Sequence, residues 1–354
     1  AAARDAIADA RINEHGLAGR PDLPRLRMYA STEAHSSVEK AARVLGIGGT
    51  NLRRVPTDEV YRMDVAALRR AIEEDRAQGD RPFCVVATIG TTSTTAVDPV
   101  DAIADVCAEH GLWLHVDAAY AGAAAILPEL RPLFAGWERA DSITMNPHKW
   151  WFTPMDCSLL FTRRPDALHN ALSVVPEYLR TKEGDTRAVR NLMDYNLPLG
   201  RRFRALKLWM VMRYFGRAGL AARLREHIRL ARWFAEQVDA DSDFERCAPA
   251  PFSTVCFRFR PHDLARRAEA HAGNGAATER VESFLNAVNE SLLNRLNGTG
   301  RLFLSHTKLN GRYVLRFAIG NLRTTEAHVR AAWEEIQATA AELDDEMRIG
   351  AALY

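Results

Sequence analysis

Cysteine is scarce in this 354-residue sequence: Cys84, Cys107, Cys157, Cys247 and Cys256 are odd in number and widely separated. No CxxC pair or zinc-like spacing occurs among them, which excludes a disulfide framework and points to reduced thiols in a cytoplasmic protein. Long apolar runs are also missing. None reaches the roughly 18 residues that span a bilayer, and the amino terminus has no basic region leading into an apolar stretch, so neither a membrane segment nor an export signal is read. Charge of one sign is equally short, with 47 Lys and Arg against 45 Asp and Glu for a formal net charge of +2. That balance argues against nucleic acid or an anionic membrane as the partner and favours a small molecule.

What is present is ample apolar material, 47% of the residues, enough for about two domains at this length. Ala1 to His15 reads as an alanine-rich helix already under way, with no initiator Met and no N-cap, which suggests a missing upstream part. From about residue 27 to 165, β-prone runs alternate with helical ones. Phe83–Thr88, Leu112–Asp117 and Ser142–Met145 read as strands, and His35–Leu45, Val65–Ala77 and Val100–His110 as helices. Such alternation predicts an α/β fold, a mostly parallel central sheet with helices on both faces. Residues 176–198 turn polar and read as a surface loop that could serve as a lid. Bridging helices follow at 202–238, so the large domain is expected over 1–240. A smaller C-terminal α+β domain is expected over 241–354, with strands at Ser253–Phe259 and Tyr313–Ile319 and helices at Thr278–Leu296 and Thr325–Met347.

Ligands of open parallel sheets bind beyond the carboxyl ends of the strands. Lys149, in Asn146-Pro-His-Lys-Trp150, stands just past such an end. A lysine there must pair, neutralise or react, and a desolvated amine forms Schiff bases with carbonyl cofactors; the plainer reading is a partly exposed strand-end residue. Asp117 closes Leu112-Trp-Leu-His-Val and is followed by small residues. A carboxylate in that place can keep a pyridinium nitrogen protonated, or simply cap the next turn. His115 shares a strand face with Asp117, which raises a metal site, but no HxxxH pair supports one, so no metal is expected. His35 opens a helix directly after the first strand, where an imidazole can stack on a cofactor or cap the helix. Tyr178, at the start of the polar loop, can donate a proton from a closing lid or plug a gap.

Taken together, Ala34-His-Ser-Ser-Val-Glu39, Val86-Ala-Thr-Ile-Gly-Thr-Thr92, Trp113-Leu-His-Val-Asp-Ala-Ala-Tyr-Ala-Gly122, Asn146-Pro-His-Lys-Trp150 and Pro198-Leu-Gly-Arg-Arg-Phe-Arg-Ala-Leu-Lys-Leu-Trp209 resemble group II pyridoxal-phosphate-dependent decarboxylases, the aromatic-L-amino-acid decarboxylases above all. The resemblance implies a fold-type I transferase-like architecture and pyridoxal 5'-phosphate as cofactor. It assigns Lys149 to the Schiff base, Asp117 to the pyridine nitrogen and His35 to ring stacking. It puts Thr92 beside Asp117, and Ser142, Asn146 and His148 at the phosphate or nearby. It further implies a homodimer in which Tyr178, the proton donor, and the Leu199-Gly200 turn enter the site from the other subunit. The implied reaction is decarboxylation of an aromatic L-amino acid to its amine. The competing expectations are another pyridoxal-phosphate chemistry, such as an aromatic aldehyde synthase or a transaminase, and a non-catalytic truncated scaffold.

Overall fold

A computed structural model describes residues 1–174, 190–264, 266 and 275–352. The chain divides into two units, one of residues 1–91 and 97–214, the other of 92–96 and 215–354. The division therefore falls at 214/215 rather than at 240/241. The physical reason lies in the long helix that crosses it, Arg204–Ala240, which is broken at Gly216 by a backbone conformation of φ 63° and ψ 172°.

The first unit is built on a six-stranded sheet of β1 (Leu26–Ser31), β2 (Leu52–Val55), β3 (Arg81–Thr88), β4 (Trp113–Asp117), β5 (Ser142–Met145) and β6 (Leu159–Thr162), in the order β2-β1-β3-β4-β5-β6. Its pairs are parallel except for β5 with β6, which run antiparallel. Every residue of β1 is buried, as is β3 from Phe83 to Thr88, the mark of strands covered on both faces. The cover comes from α1 (Ala2–Asp5), α2 (Ile12–His15), α3 (Ser36–Val44), α4 (Val65–Ala77), α5 (Val100–His110), α6 (Pro147–Trp150) and α7 (Pro165–Leu172). Arg204–Ala240 is α8.

Residues 1–15 do not form the continuous helix that their alanine content suggests. Arg11 adopts a left-handed conformation (φ 45°, ψ 46°) between two short helical pieces. Ile7, Ala10 and Ile12 are buried in a core shared with Leu26, Met28, Val86 and Trp113. Burying these apolar residues against the sheet outweighs helix propensity in a segment this short.

In the second unit β7 (Phe244–Arg246), β8 (Thr254–Phe259), β9 (Ser305–Leu309) and β10 (Arg312–Ala318) make an antiparallel sheet in the order β7-β8-β10-β9. It packs with the later part of α8, α9 (Gly275–Gly298) and α10 (Glu326–Ala352). The Phe234 ring meets Phe257 and Trp333 edge to face in the core, at 5.1 and 5.4 Å between centroids. Residues 92–96, although flanked on both sides by the first unit, are tied into this one. Arg316 Nε and Cys256 Sγ both donate to the Ser93 carbonyl, at 2.7 and 3.2 Å, and Thr307 Oγ1 donates to Ser93 Oγ at 3.0 Å.

All five cysteines are free thiols, four of them buried. Among the described residues no helix is long and apolar enough to cross a membrane.

Candidate active site

The carboxyl ends of β1, β3, β4 and β5 lie along one edge of the first unit's sheet, because these neighbouring strands are parallel. Asp117 ends β4 in register with Thr88 of β3 and Thr144 of β5. Its Oδ1 accepts from the Ala119 amide at 3.0 Å, which turns the chain away from the sheet. The turn is stitched to the end of β5 by two further bonds, Ala118 N–H to the Thr144 carbonyl at 2.9 Å and Asn146 N–H to the Ala119 carbonyl at 3.0 Å. Asp117 and the Asn146–Lys149 run are thereby set on adjacent strand ends.

Lys149 lies in the single turn of α6, opened by Pro147 at a position where a missing amide hydrogen costs nothing. Its neighbour Trp150 is buried and stacks on Tyr120, while Trp151 Nε1 donates to the Ala123 carbonyl at 3.1 Å. Anchored on both tryptophans, the turn leaves the Lys149 side chain exposed, without a hydrogen bond or ion pair to any described residue. The lysine therefore stands in water rather than desolvated.

His35 is the N-cap of α3. Its Nδ1 accepts from the Ser37 amide at 3.2 Å and lies 2.9 Å from Ser37 Oγ, and the ring is exposed. The capping role and an open ring face therefore coexist in one residue. His148 is held by residue 157: its Nδ1 lies 3.1 Å from the Cys157 amide and 2.6 Å from the Cys157 carbonyl, of which the nitrogen can satisfy one at a time. The Asn146 side-chain oxygen is buried with no hydrogen-bond partner among the described residues.

Ser142 is implied to lie at the phosphate or near it. It begins β5, in register with His115, two residues before the level of Asp117. Its hydroxyl is taken up by Trp113 Nε1 at 2.9 Å and His115 Nδ1 at 2.8 Å. His115 Nε2 in turn lies 3.4 Å from Thr144 Oγ1. Burial pulls the His115 imidazole below its ordinary pKa, with the Asp117 carboxylate opposing that shift. Both ring nitrogens face hydroxyls, and among the described residues no group of three or more His, Cys, Asp or Glu side chains is placed to hold a metal.

Thr92 is exposed and belongs to the second unit, whereas Asp117 belongs to the first. Leu199 and Gly200 are exposed on the first unit. Tyr178 lies outside the described residues, as does most of the loop expected over 176–198. Among the buried acids that the sequence does not announce, Asp98 lies closest in register to the strand ends of the site. Asp98 accepts from the amides of Met63 and Thr88, both at 2.8 Å, and burial pushes its carboxyl up to about 6. The available signal was an Asp-Pro pair at the mouth of a helix.

Gly90 shows why the loop after β3 carries no side chain at that point. Its φ is +85°, and a Cβ there would stand 2.7 Å from the Ala121 Cβ.

A lysine, a carboxylate and a capping imidazole at the carboxyl edge of a mostly parallel sheet define the class: a fold-type I pyridoxal-phosphate enzyme scaffold. The chain belongs to the pyridoxal-dependent decarboxylase family, since residues 2–260 match the family described as "Pyridoxal-dependent decarboxylase conserved domain". It is similar to tryptophan decarboxylase 1 of Oryza sativa subsp. japonica, at 45% identity over 96% of this chain and 64% of that protein. It is similar also to tyrosine decarboxylase 1 of Narcissus pseudonarcissus, at 43% identity over 92% of this chain and 62% of that one. Among solved structures, that of Oryza sativa TDC with PLP and tryptamine superposes with a TM-score of 0.85 at 43% identity, covering 97% of this chain and 67% of the other. The chain thus spans a little under two thirds of the length of these two curated relatives.

Proposed function

We propose that the protein decarboxylates an aromatic L-amino acid with pyridoxal 5'-phosphate, releasing the amine and CO2. The observation that carries this reading is the stitching of the Asp117–Ala119 turn to Thr144–Asn146, which puts a carboxylate and an unpartnered lysine on neighbouring strand ends. The names of the similar proteins, acting on tryptophan and tyrosine, support the aromatic class.

The residues present fit the cofactor. Among the described residues, Lys149 offers an amine with no competing partner for covalent attachment, and Asn146 has a buried side-chain atom still lacking one. Amide oxygen and nitrogen are interchangeable by a flip, so that side chain can donate to a phosphate. Asp117 is assigned to the pyridine nitrogen, whose proton a carboxylate partner would keep. His35 keeps its Nδ1 on the helix cap and turns an open ring face outward for stacking. When bound, pyridoxal phosphate supplies the electron sink for the pair left as the Cα–carboxylate bond breaks. Tyr178 is assigned the return of a proton to Cα.

A homodimer in the cytoplasm belongs to the same proposal. The first unit exposes Leu197, Leu199, Phe203, Trp209 and Tyr214, with Phe203 at 76% and Trp209 at 58%, an apolar row of the kind that a second subunit covers. The free thiols suit a reducing compartment.

The test is direct. Protein incubated with cofactor should turn yellow, lose the colour on borohydride reduction with the label on Lys149, and stay colourless as Lys149→Ala. With tryptophan, tyrosine or dopa it should release CO2 and amine in equal amounts. Aldehyde or keto acid in place of amine overturns the reading.

A further inference from the structure

The hydroxyl of Ser142 opens onto an ordered chain of hydrogen bonds. An indole nitrogen only donates, so Trp113 Nε1–H points at Ser142 Oγ, 2.9 Å away. Among the described residues the serine's own proton has one acceptor in reach, His115 Nδ1 at 2.8 Å. The opposite sense, with His115 Nδ1–H donating to Ser142, leaves the serine proton with no acceptor at a residue only 7% exposed. An unmet buried hydroxyl of that kind costs about 1–3 kcal/mol. The imidazole proton therefore belongs on Nε2, directed at Thr144 Oγ1, 3.4 Å away. Thr144 is the residue level with Asp117 across the β4–β5 pair.

His115 and Asp117 share a face of β4, being two residues apart on one strand. Among the described residues, the charged side chain acting on the imidazole is that carboxylate. A doubly protonated imidazole would share the single carboxylate with whatever cation Asp117 serves, and would weaken its hold on that cation.

We propose that His115 is a positioning residue for Asp117: Ser142 locks it as the Nε2–H tautomer, in which it steadies Thr144 and leaves the whole carboxylate charge to the cofactor's ring nitrogen. The proposal rests on the reading of Asp117 as that nitrogen's partner. It also gives Ser142 and Trp113 a task that needs no contact with the cofactor.

The decisive measurement is made on the 354-residue chain with 15N-labelled histidine, before cofactor is added. The His115 signal, assigned by its loss in His115→Gln, should show a bare Nδ1 and a protonated Nε2 at neutral pH, and Ser142→Ala should alter it. A protonated Nδ1 overturns the proposal. With cofactor, Ser142→Ala and His115→Leu should weaken cofactor affinity at least about tenfold, as loss of a supporting shell does. His115→Gln, which can accept from Ser142 and donate to Thr144, should restore most of it, with thermal melting confirming that each variant folds. Unchanged affinity in both Ser142→Ala and His115→Leu sinks the idea. A wild-type chain that takes no cofactor defeats the reading of Asp117 itself, a failure seen in the wild type and so distinguishable from one seen only among the variants.

Discussion

Tyr120 and Trp150 stack with ring centroids 4.8 Å apart and planes 14° from parallel. One ring belongs to the chain just after Asp117, the other to the residue after Lys149. The pair thus clamps together the two segments that carry the principal groups of the site. Trp150→Ala should remove about 3–5 kcal/mol of stability, the range for deleting a fully buried large aromatic ring. Trp150→Phe should retain most of it. Urea unfolding of the two variants measures the difference, and equal losses would show that the ring stack is not what holds the turn.

Gly90 makes a prediction with two separable parts. Gly90→Ala meets both the left-handed backbone and the Ala121 methyl, 2.7 Å from the added carbon. A loss of roughly 2 kcal/mol or more is expected, about 1 of it from the backbone alone. Adding Ala121→Gly should recover the contact part and leave the backbone part, which a double-mutant cycle in denaturant reads.

His35 joins a structural duty to a proposed chemical one, and substitution can part them. His35→Ala deletes the cap of α3 and should cost about 1 kcal/mol. His35→Asn supplies a good cap without a ring, so thermal stability should hold while cofactor affinity falls. If affinity follows stability through both variants, ring stacking is not the residue's role.

Asp98 sets a pH dependence whose sign follows from burial. Its folded carboxyl titrates at about 6, above the ordinary 3.8, so between those values the folded chain binds a proton that the unfolded chain lacks. This group's contribution is fully present below about pH 4 and is lost as pH rises through 6. The stability difference between wild type and Asp98→Asn should therefore shift against the wild type by on the order of 3 kcal/mol from pH 4 to 7. A flat difference would show that the carboxyl ionises in place without penalty.

His227, in α8, works in the opposite direction. Burial lowers its imidazole below 6.5, with a backbone bond at Asn321 opposing the shift. The stability this represents is present above about 6.5 and fades as pH falls below it. His227→Gln should lessen that acid sensitivity, measured as melting temperature against pH.

The alternation of strands and helices was legible because period-2 and period-3.6 patterns are local, and so were the strand-end positions of Asp117 and Lys149. Hydrogen-bond direction was not. Nothing local to Ser142 says that its hydroxyl turns to Trp113 and His115, since that depends on the register of β4 against β5. The exposure of Lys149 agrees with the plainer reading of a strand-end lysine: in a one-turn helix Trp150 takes the buried direction and the lysine is left the other. The short strands β2 and β6 passed unnoticed because four residues hold too little periodicity. Asp98 draws no notice from its neighbours in sequence, because its two amide partners, Met63 and Thr88, come to it from other elements.

The strip 92–96 bears on how such a chain can be made. Ser93 leaves the ribosome 163 residues ahead of Cys256 and 223 ahead of Arg316, its partners in the second unit. Through most of synthesis the first unit must therefore carry an unfilled strip in the middle of its own sequence. A gene cut cleanly at 214/215 would orphan that strip in one product and leave Arg316 Nε without its acceptor in the other, so the two halves are expected to recover order only when co-expressed.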